Sequence, residues 1–461
     1  MRKATLSLST ARRSPIPTKD SRSANSHSFL NRLELTQAAK RGNPLAAFAF
    51  QARTGENLMA PNLRTNPLST GKTGPQAGAG GRDTRLDVLR ALALIAIFIN
   101  HVPGQIFENL TTKNFGFSDS AEAFVLISGI SIALAYGGRF VVGNRLAASY
   151  KAIRRAGTLY MAHMITTFMT IGLFITGAWL FSRPGLLCEI NILPVLTNLT
   201  AGIPSLLLLG HQIGYNNILP MYGALLLMVP AILWLEALSP KLLLLISATV
   251  WMAAGVYQIA PHNFLLPGFW FLNPLSWQFL FVIGVVCMMH VRRGGKLPQH
   301  PALFGLAAGY VALSFVWVTF KLWVLGEFLA STGLPPVIIG FDKTFLSLPR
   351  LLHVLALAYL VINIPAISRW LRLSSDNPLT VLGRHSLNIF AAGTILAMTG
   401  QVLLYVTNND HVVGPLFVVF GIVVQFYYAD HLETKRLAER NRSRGITPAV
   451  AMALPARRDP R

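Results

Sequence analysis

The chain has 461 residues, of which 52% are hydrophobic and only 13% are charged. Soluble proteins carry about 25% charged residues, so the composition excludes a water-soluble globule. The 40 Lys and Arg residues against 18 Asp and Glu residues give a formal net charge of +22. This composition predicts an all-α, polytopic membrane protein.

The positive charge is concentrated at the two ends of the chain. Residues 1–82 hold 13 basic and three acidic residues, and residues 433–461 hold eight and three. This placement predicts anionic lipid at the cytoplasmic face as a partner and no nucleic acid, because no aromatic interleaving or nucleic-acid-binding motif accompanies the charge. We predict a disordered basic extension over residues 1–81, a transmembrane domain over 82–430 and a basic cytoplasmic tail over 431–461.

Ten apolar runs are long enough to span a bilayer as helices. They cover residues 86–104, 119–138, 153–181, 217–236, 241–260, 274–291, 302–326, 346–366, 380–406 and 412–429. Alternate connections carry most of the basic residues, which predicts that both termini are cytoplasmic. The two cysteines, Cys188 and Cys287, fall in a predicted outer loop and a predicted span, so neither a disulfide framework nor a metal site is predicted.

The first predicted span carries two ionisable groups on one face. Arg90 and His101 are 11 residues apart, which is about three helical turns, and Asp87 lies on the same stripe. The rise between them, about 16 Å, predicts a guanidinium near the cytoplasmic boundary and an imidazole deeper in the membrane. Ionisable groups inside a span usually mark function, although Arg90 as a snorkelling anchor and His101 as a helix-end histidine are alternatives.

The second predicted span begins with two carboxylates, Asp119 and Glu122. Asp119 is either a catalytic group or a helix N-cap that the helix dipole stabilises. Glu122 lies one turn deeper, and we predict that it pairs with His101, orients the ring and raises its basicity.

The ordered set of motifs resembles the OpgC family, within the membrane acyltransferase-3 superfamily, over about residues 82–430. The motifs that carry the resemblance are Arg85-Leu-Asp87-x-x-Arg90, His101-Val-Pro-Gly, Asn114-Phe-Gly-Phe-Ser-Asp119-x-x-Glu122, Arg155-x4-Tyr160-x-x-His163, Leu219-Pro-x-Tyr222, Asn273-Pro-x-x-Trp277-Gln278 and Gly383-Arg384-His385-Ser386. The superfamily tends to carry an Arg-x-x-Arg pair before its third helix, whereas this chain has Lys151-x-x-Arg154 with Arg155 adjacent.

The resemblance implies a bacterial inner-membrane, multi-pass O-acyltransferase that succinylates periplasmic glucans. The donor would be a cytoplasmic acyl-CoA, either succinyl-CoA or acetyl-CoA, with no permanently bound cofactor. We predict His101 as general base, or as an acyl-carrying nucleophile, with Glu122 and Asp119 beside it. The predicted acyl-CoA-binding residues are Arg90, Lys151, Arg154, Arg155 and Arg384. The predicted glucan-binding residues are Trp277, Gln278, Asn114 and His163.

The sequence alone leaves open two structural explanations of the candidate residues and one alternative function. The basic cluster at residues 151–155 is also ordinary positive-inside charge, and His163 is also a satisfied core histidine. The rival function is a secondary transporter or flippase of an envelope precursor, in which His101 and Glu122 form a proton relay.

Overall fold

The computed structural model describes residues 83–443. Within this range the regular structure is α-helical, apart from short 3-10 turns and one isolated bridge between His262 and Phe269. The α-helices are α1 (Arg85–Asn100), α2 (Ser120–Tyr136), α3 (Arg145–Leu180), α4 (Leu193–Thr197), α5 (Leu199–Leu207), α6 (Ile218–Leu238), α7 (Pro240–Val256), α8 (Pro274–Arg292), α9 (Pro301–Thr319), α10 (Trp323–Ala330), α11 (Pro336–Ile339), α12 (Leu348–Asn363), α13 (Pro365–Leu371), α14 (Pro378–Arg384), α15 (Ser386–Val406) and α16 (Val413–Ser443).

Seven helices in the described part of the chain are long and apolar enough to cross a membrane. They lie at Ser120–Arg139, Arg145–Leu180, Ile218–Leu238, Pro274–Arg292, Pro301–Thr319, Ser386–Val406 and Val413–Ser443. An all-helical, multi-pass membrane protein is thus confirmed. The number of ten spans and the cytoplasmic location of both ends remain predictions.

Several of the predicted spans differ from the helices that form, and the first of them forms a 16-residue helix that is not among these seven. The first helix ends at Asn100, so His101 caps its end and is not embedded within it. The predicted span 302–326 stops at Thr319, and Lys321 takes a left-handed backbone with φ of 53° before α10 begins. The predicted span 346–366 is bent by 86° between α12 and α13, because Pro365 forces the preceding residue into extended backbone.

Local sequence explains where several helices begin. Asn273, Ser239 and Asn377 each accept a hydrogen bond from a backbone amide of the first turn and are followed by proline. Proline at this position costs no hydrogen bond, since the first amides of a helix have no intrahelical partner. These caps fix where α7, α8 and α14 begin.

Close helix packing positions α1 and α2. Gly129 of α2 and Gly284 of α8 face each other, and a Cβ on Gly129 would meet the carbonyl oxygen of Phe281. Gly383 of α14 likewise lies against the backbone of Asp87 in α1. Small residues let helix backbones approach closely in membrane proteins. These contacts hold the two helices that carry the predicted catalytic groups.

Parts of the predicted domain organisation lie outside the described residues. The predicted extension over 1–81 is one such part. Of the predicted tail, residues 431–443 continue α16 as helix, and residues 444–461 lie outside the described range.

Candidate functional site

His101 lies immediately beyond the last residue of α1. Its backbone amide donates to the carbonyl oxygen of Ile97, 3.0 Å away, and its own carbonyl accepts from Nε2 of Gln401 at 2.7 Å. The imidazole stacks on the ring of Tyr215, with 4.5 Å between ring centroids and an interplanar angle of 27°. Within the described residues neither ring nitrogen makes a hydrogen bond. The backbone and one ring face are therefore held, while the nitrogens remain available to a ligand.

The half-buried imidazole borders a cavity of about 200 Å³. The charged and polar residues that line this cavity with His101 are Asn100, Glu108, Lys113, Asp119, Tyr215, Asn217 and Lys343. We call this space the histidine cavity. A cavity with a free imidazole and several cations and carboxylates can accommodate a polar ligand and move a proton.

Electrostatics favour the neutral imidazole in this cavity. Burial, and then the positive charge of Lys343, lower the pKa of His101 to about 3, against the smaller opposing effect of Asp119. A neutral imidazole is the form that accepts a proton. The environment therefore keeps His101 uncharged and able to accept a proton, although the lowered pKa makes the ring a weaker proton acceptor than a free imidazole.

Asp119 is the N-cap of α2, and it also belongs to the histidine cavity. Its side chain accepts from the backbone amide of Ala121, so the N-cap interpretation is correct. Its second oxygen pairs with Nζ of Lys343 and lies 3.7 Å from Nη2 of Arg350. Burial raises the pKa of Asp119, but the two cations outweigh it and bring the pKa below its usual value. Asp119 is thus a carboxylate facing the cavity.

Glu122 does not pair with His101 as the sequence predicted. Its Oε1 accepts from Nε and Nη2 of Arg350, at 2.8 and 2.6 Å, and its Oε2 accepts from the backbone amide of Asp119 at 2.9 Å. The side chain is completely buried and does not line the histidine cavity. The physical reason is that the capping box turns the Glu122 carboxylate back towards the start of its own helix. Glu122 therefore holds Asp119 and Arg350 in place by hydrogen bonds. It makes no contact with His101 through which a proton could pass directly.

A second cavity, of about 220 Å³, lies towards the other end of α1. Arg90 lines it, and its guanidinium pairs with Asp87 at 3.0 Å and contacts Ser131. Arg155, Ser128 and Tyr222 line the same space, which we call the arginine cavity. Ile218 lines both cavities. The predicted shared face of Arg90 and His101 thus corresponds to two polar cavities with one residue in common.

The predicted donor-binding cluster is only partly brought to this cavity. Lys151, Arg154 and Arg155 are all exposed, and only Arg155 is part of the lining. Arg384 donates to Glu433 at 2.5 Å and to the carbonyl oxygen of Ser375. Its guanidinium is engaged within the protein, and it does not line the arginine cavity.

Two of the predicted glucan-binding residues have structural contacts instead. Trp277 is fully buried, and its indole Nε1 donates to the carbonyl oxygen of Lys343 at 3.0 Å. Gln278 is buried between α7 and α8, where its amide is bonded to the side chain and backbone of Ser247. The sequence placed both residues at the start of a helix after an aromatic-rich segment, where exposed side chains could contact a sugar. In the structure the packing of α8 buries both side chains.

The other two predicted glucan-binding residues differ from each other. Asn114 lines a separate cavity of about 310 Å³ and donates to the carbonyl oxygen of Glu108. His163 is 1% exposed, and neither ring nitrogen has a hydrogen-bond partner. His163 is thus buried as a core histidine would be, but no group of the described residues pairs with its ring nitrogens.

A wider cavity of about 420 Å³ adjoins the histidine cavity. The two share Tyr215, Asn217 and Phe271 in their linings. Its other lining residues include Trp270, Phe269, Gln212, Asn263 and Gln401. Aromatic faces with amide side chains between them are suited to a carbohydrate, and we call this space the aromatic cavity.

Sequence reasoning missed several residues of the histidine cavity. Tyr215, Asn217 and Lys343 come from loops far from α1 in the sequence. Lys343 had one visible signal, since it is an isolated lysine in a connection that otherwise has little basic charge. Tyr215 and Asn217 had none.

Fold and site together define a multi-pass helical membrane protein with a histidine cavity and an arginine cavity at opposite ends of one helix. The chain belongs to the OpgC family, because the model of that family, described as OpgC protein, matches residues 82–436. Family membership indicates a membrane protein that modifies glucans. Neither a curated protein nor a solved structure matches the chain.

Proposed function

We propose that this protein is an inner-membrane O-acyltransferase that moves an acyl group, succinyl by preference, from cytoplasmic acyl-CoA to a hydroxyl of a periplasmic glucan. One observation carries the proposal. A partly buried imidazole with two unbonded nitrogens faces a polar cavity at one end of α1, while Arg90 lines a cavity at the other end, and Ile218 borders both. In this proposal the His101 end faces the periplasm and the Arg90 end faces the cytoplasm.

His101 acts as the general base in the proposed reaction. A ring nitrogen takes the proton of the acceptor hydroxyl as the oxygen attacks the thioester carbonyl. The new C–O ester bond forms, the C–S bond breaks, and the coenzyme A thiolate leaves. The imidazolium then returns its proton to that thiolate, so free thiol and acylated glucan are the products. General base catalysis of this kind contributes about 10²–10⁴ in rate.

The arginine cavity is the proposed entry for the donor. Arg90 and Arg155 supply guanidinium groups, and guanidinium groups bind phosphate oxygens with good geometry. Pairing of Arg90 with Asp87 fixes the side chain towards the cavity rather than towards lipid. The phosphates of coenzyme A would bind here, with the thioester directed towards Ile218.

Two cations support a dicarboxylic acyl group. Lys113 and Lys343 line the histidine cavity beside the base, and both are paired with carboxylates that also face the loops of this end. Glu108 and Asp119, which pair with the two ammonium groups, line the same cavity. The free carboxylate of a succinyl group would bind the N–H donors that each ammonium still has, whereas an acetyl group has no carboxylate to offer them. Lys343→Met should therefore lower transfer from succinyl-CoA more than transfer from acetyl-CoA.

The aromatic cavity is the proposed acceptor site. Trp270 and Phe271 offer ring faces to a sugar, and Phe271 also borders the histidine cavity. A glucan bound there would place one hydroxyl near His101. The proposal applies to linear and cyclic glucans alike, and the assay can use either one as the acceptor.

The test uses the purified full-length chain in liposomes with succinyl-CoA and a glucan. We expect release of coenzyme A thiol only when glucan is present, with a matching mass increase of the glucan. His101→Ala should lower the rate by about 10²–10⁴, while His290→Ala, at an exposed histidine bonded to the carbonyl oxygen of Lys296, should retain it. Movement of a substrate without thiol release, or full transfer by His101→Ala, would refute the proposal.

A further inference from the structure

Helix α3 carries a buried polar stripe that the proposed reaction does not yet use. His163, Thr166, Thr167 and Thr170 are each 1% exposed and lie on successive turns. Asn216, which is also fully buried, donates weakly to Thr170 at 3.4 Å. We call this set the α3 stripe.

Several polar atoms of the α3 stripe have no partner. Within the described residues no hydrogen bond reaches Nδ1 or Nε2 of His163, Oγ1 of Thr167 or Oδ1 of Asn216. Buried polar atoms in native proteins are as a rule hydrogen-bonded, and burying them unpaired is costly. Three of these atoms lie on adjoining turns of α3 and the fourth lies in the loop before α6, so a polar molecule beside them would pair groups that the described residues leave unpaired.

The two ends of the stripe adjoin residues that line the two cavities. Leu159, one turn before His163, lines the arginine cavity. Thr170 contacts Asn216, whose neighbour Asn217 lines the histidine cavity. The distance along α3 from Leu159 to Thr170 is about 16 Å. The unpaired atoms therefore lie between the proposed donor entry and the proposed base.

The chemistry of these atoms suits amide groups. A neutral imidazole offers one donor and one acceptor, a threonine hydroxyl offers both, and the Asn216 carbonyl oxygen accepts. The pantetheine arm of an acyl-CoA carries two amides and a hydroxyl between its phosphates and its thioester. We propose that His163, Thr167 and Asn216 bind this arm as it passes from the arginine cavity to the histidine cavity. This inference rests on the proposed function, and it assigns His163 to the donor rather than to the glucan.

The test compares three thioester donors that differ in the arm. Succinyl-CoA has the phosphates and the full arm, succinyl-pantetheine lacks the nucleotide and its phosphates, and succinyl-N-acetylcysteamine keeps only one amide. His163→Leu and Thr167→Val should each lower kcat/KM about five- to tenfold for the first two donors, the loss expected from one hydrogen bond. They should leave kcat/KM for the shortest donor nearly unchanged.

Three further variants separate binding from structure. Thr158→Val removes an exposed hydroxyl of the same helix, bonded only to the carbonyl oxygen of Arg154, and should leave transfer from every donor as in the parent. His163→Gln keeps one donor and one acceptor and should recover part of the loss. Arg155→Met should weaken use of succinyl-CoA but not of succinyl-pantetheine, since only the former carries the phosphates.

The outcomes are distinguishable. Equal losses with all three donors would overturn the inference by showing a structural role. Unchanged kinetics for every stripe variant would overturn it in favour of water bound to the unpaired atoms. A parent protein that transfers from none of the three donors overturns the proposed function together with this inference. Abundance of each variant, measured by size-exclusion chromatography, identifies a change that merely unfolds the protein, and His163→Gln then supplies the decisive comparison.

Discussion

The Glu122–Arg350 pair is a buried charge network whose disruption has a calculable cost. Glu122 is fully buried, and its Oε1 depends on two nitrogens of Arg350, at 2.8 and 2.6 Å. Arg350→Met would leave the carboxylate with only the backbone amide of Asp119, at 2.9 Å. Removing one partner of a buried pair costs about 3–5 kcal/mol, so we expect the free energy of unfolding to fall by about that amount.

The matched control is the double variant Glu122→Gln with Arg350→Met. It removes both charges, so the uncompensated carboxylate disappears and most of the lost stability should return. The assay is denaturant unfolding of the purified protein in a fixed detergent, with both single variants and the double variant. A loss below about 1 kcal/mol for Arg350→Met, or a double variant no more stable than that single one, would refute the reasoning.

Three further predictions concern the base, the helix packing and the acceptor site. Because the pKa of His101 is lowered to about 3, its proton-free form persists as pH falls. The transfer rate should therefore not decline as pH passes through 6.5, the ordinary pKa of histidine. Lys343→Met removes a cation and should move the acid limb of the measured pH–rate profile to higher pH. Gly383→Ala places a Cβ against the backbone of Asp87 and should lower the free energy of unfolding by about 1–3 kcal/mol. Gly223→Ala, with open space around its Cβ, should lower it far less. Equal losses of unfolding free energy in detergent would contradict the packing argument. Trp270→Ala should raise KM for the glucan severalfold and leave KM for acyl-CoA unchanged. Initial-rate measurements with each substrate varied in turn would check this. A change in the KM for acyl-CoA instead would mean that the glucan binds elsewhere.

Features that depend on neighbouring residues could be read from the sequence. Helix periodicity is local, so apolar runs predicted the helical membrane protein, and the spacing of Arg90 and His101 predicted that both lie on one side of the first helix. Asp119 as an N-cap followed from the same local rules, since a cap involves only the next few residues. The ordered motifs predicted the OpgC family, which the match over residues 82–436 confirms.

Features that depend on distant residues required the tertiary structure. Glu122 pairs with Arg350, which is 228 positions away, and Lys343 reaches Asp119 from 224 positions away. Trp277 and Gln278 were predicted to bind a ligand, but the packing of α8 against its neighbours buries both side chains in the core. Which distant residues meet depends on which helices pack together and on how each helix is rotated about its own axis. No local sequence pattern specifies these two features. The chain's periodicity therefore determined its helices and one polar face, while packing between helices determined which charges neutralise one another and which imidazole nitrogens remain unbonded.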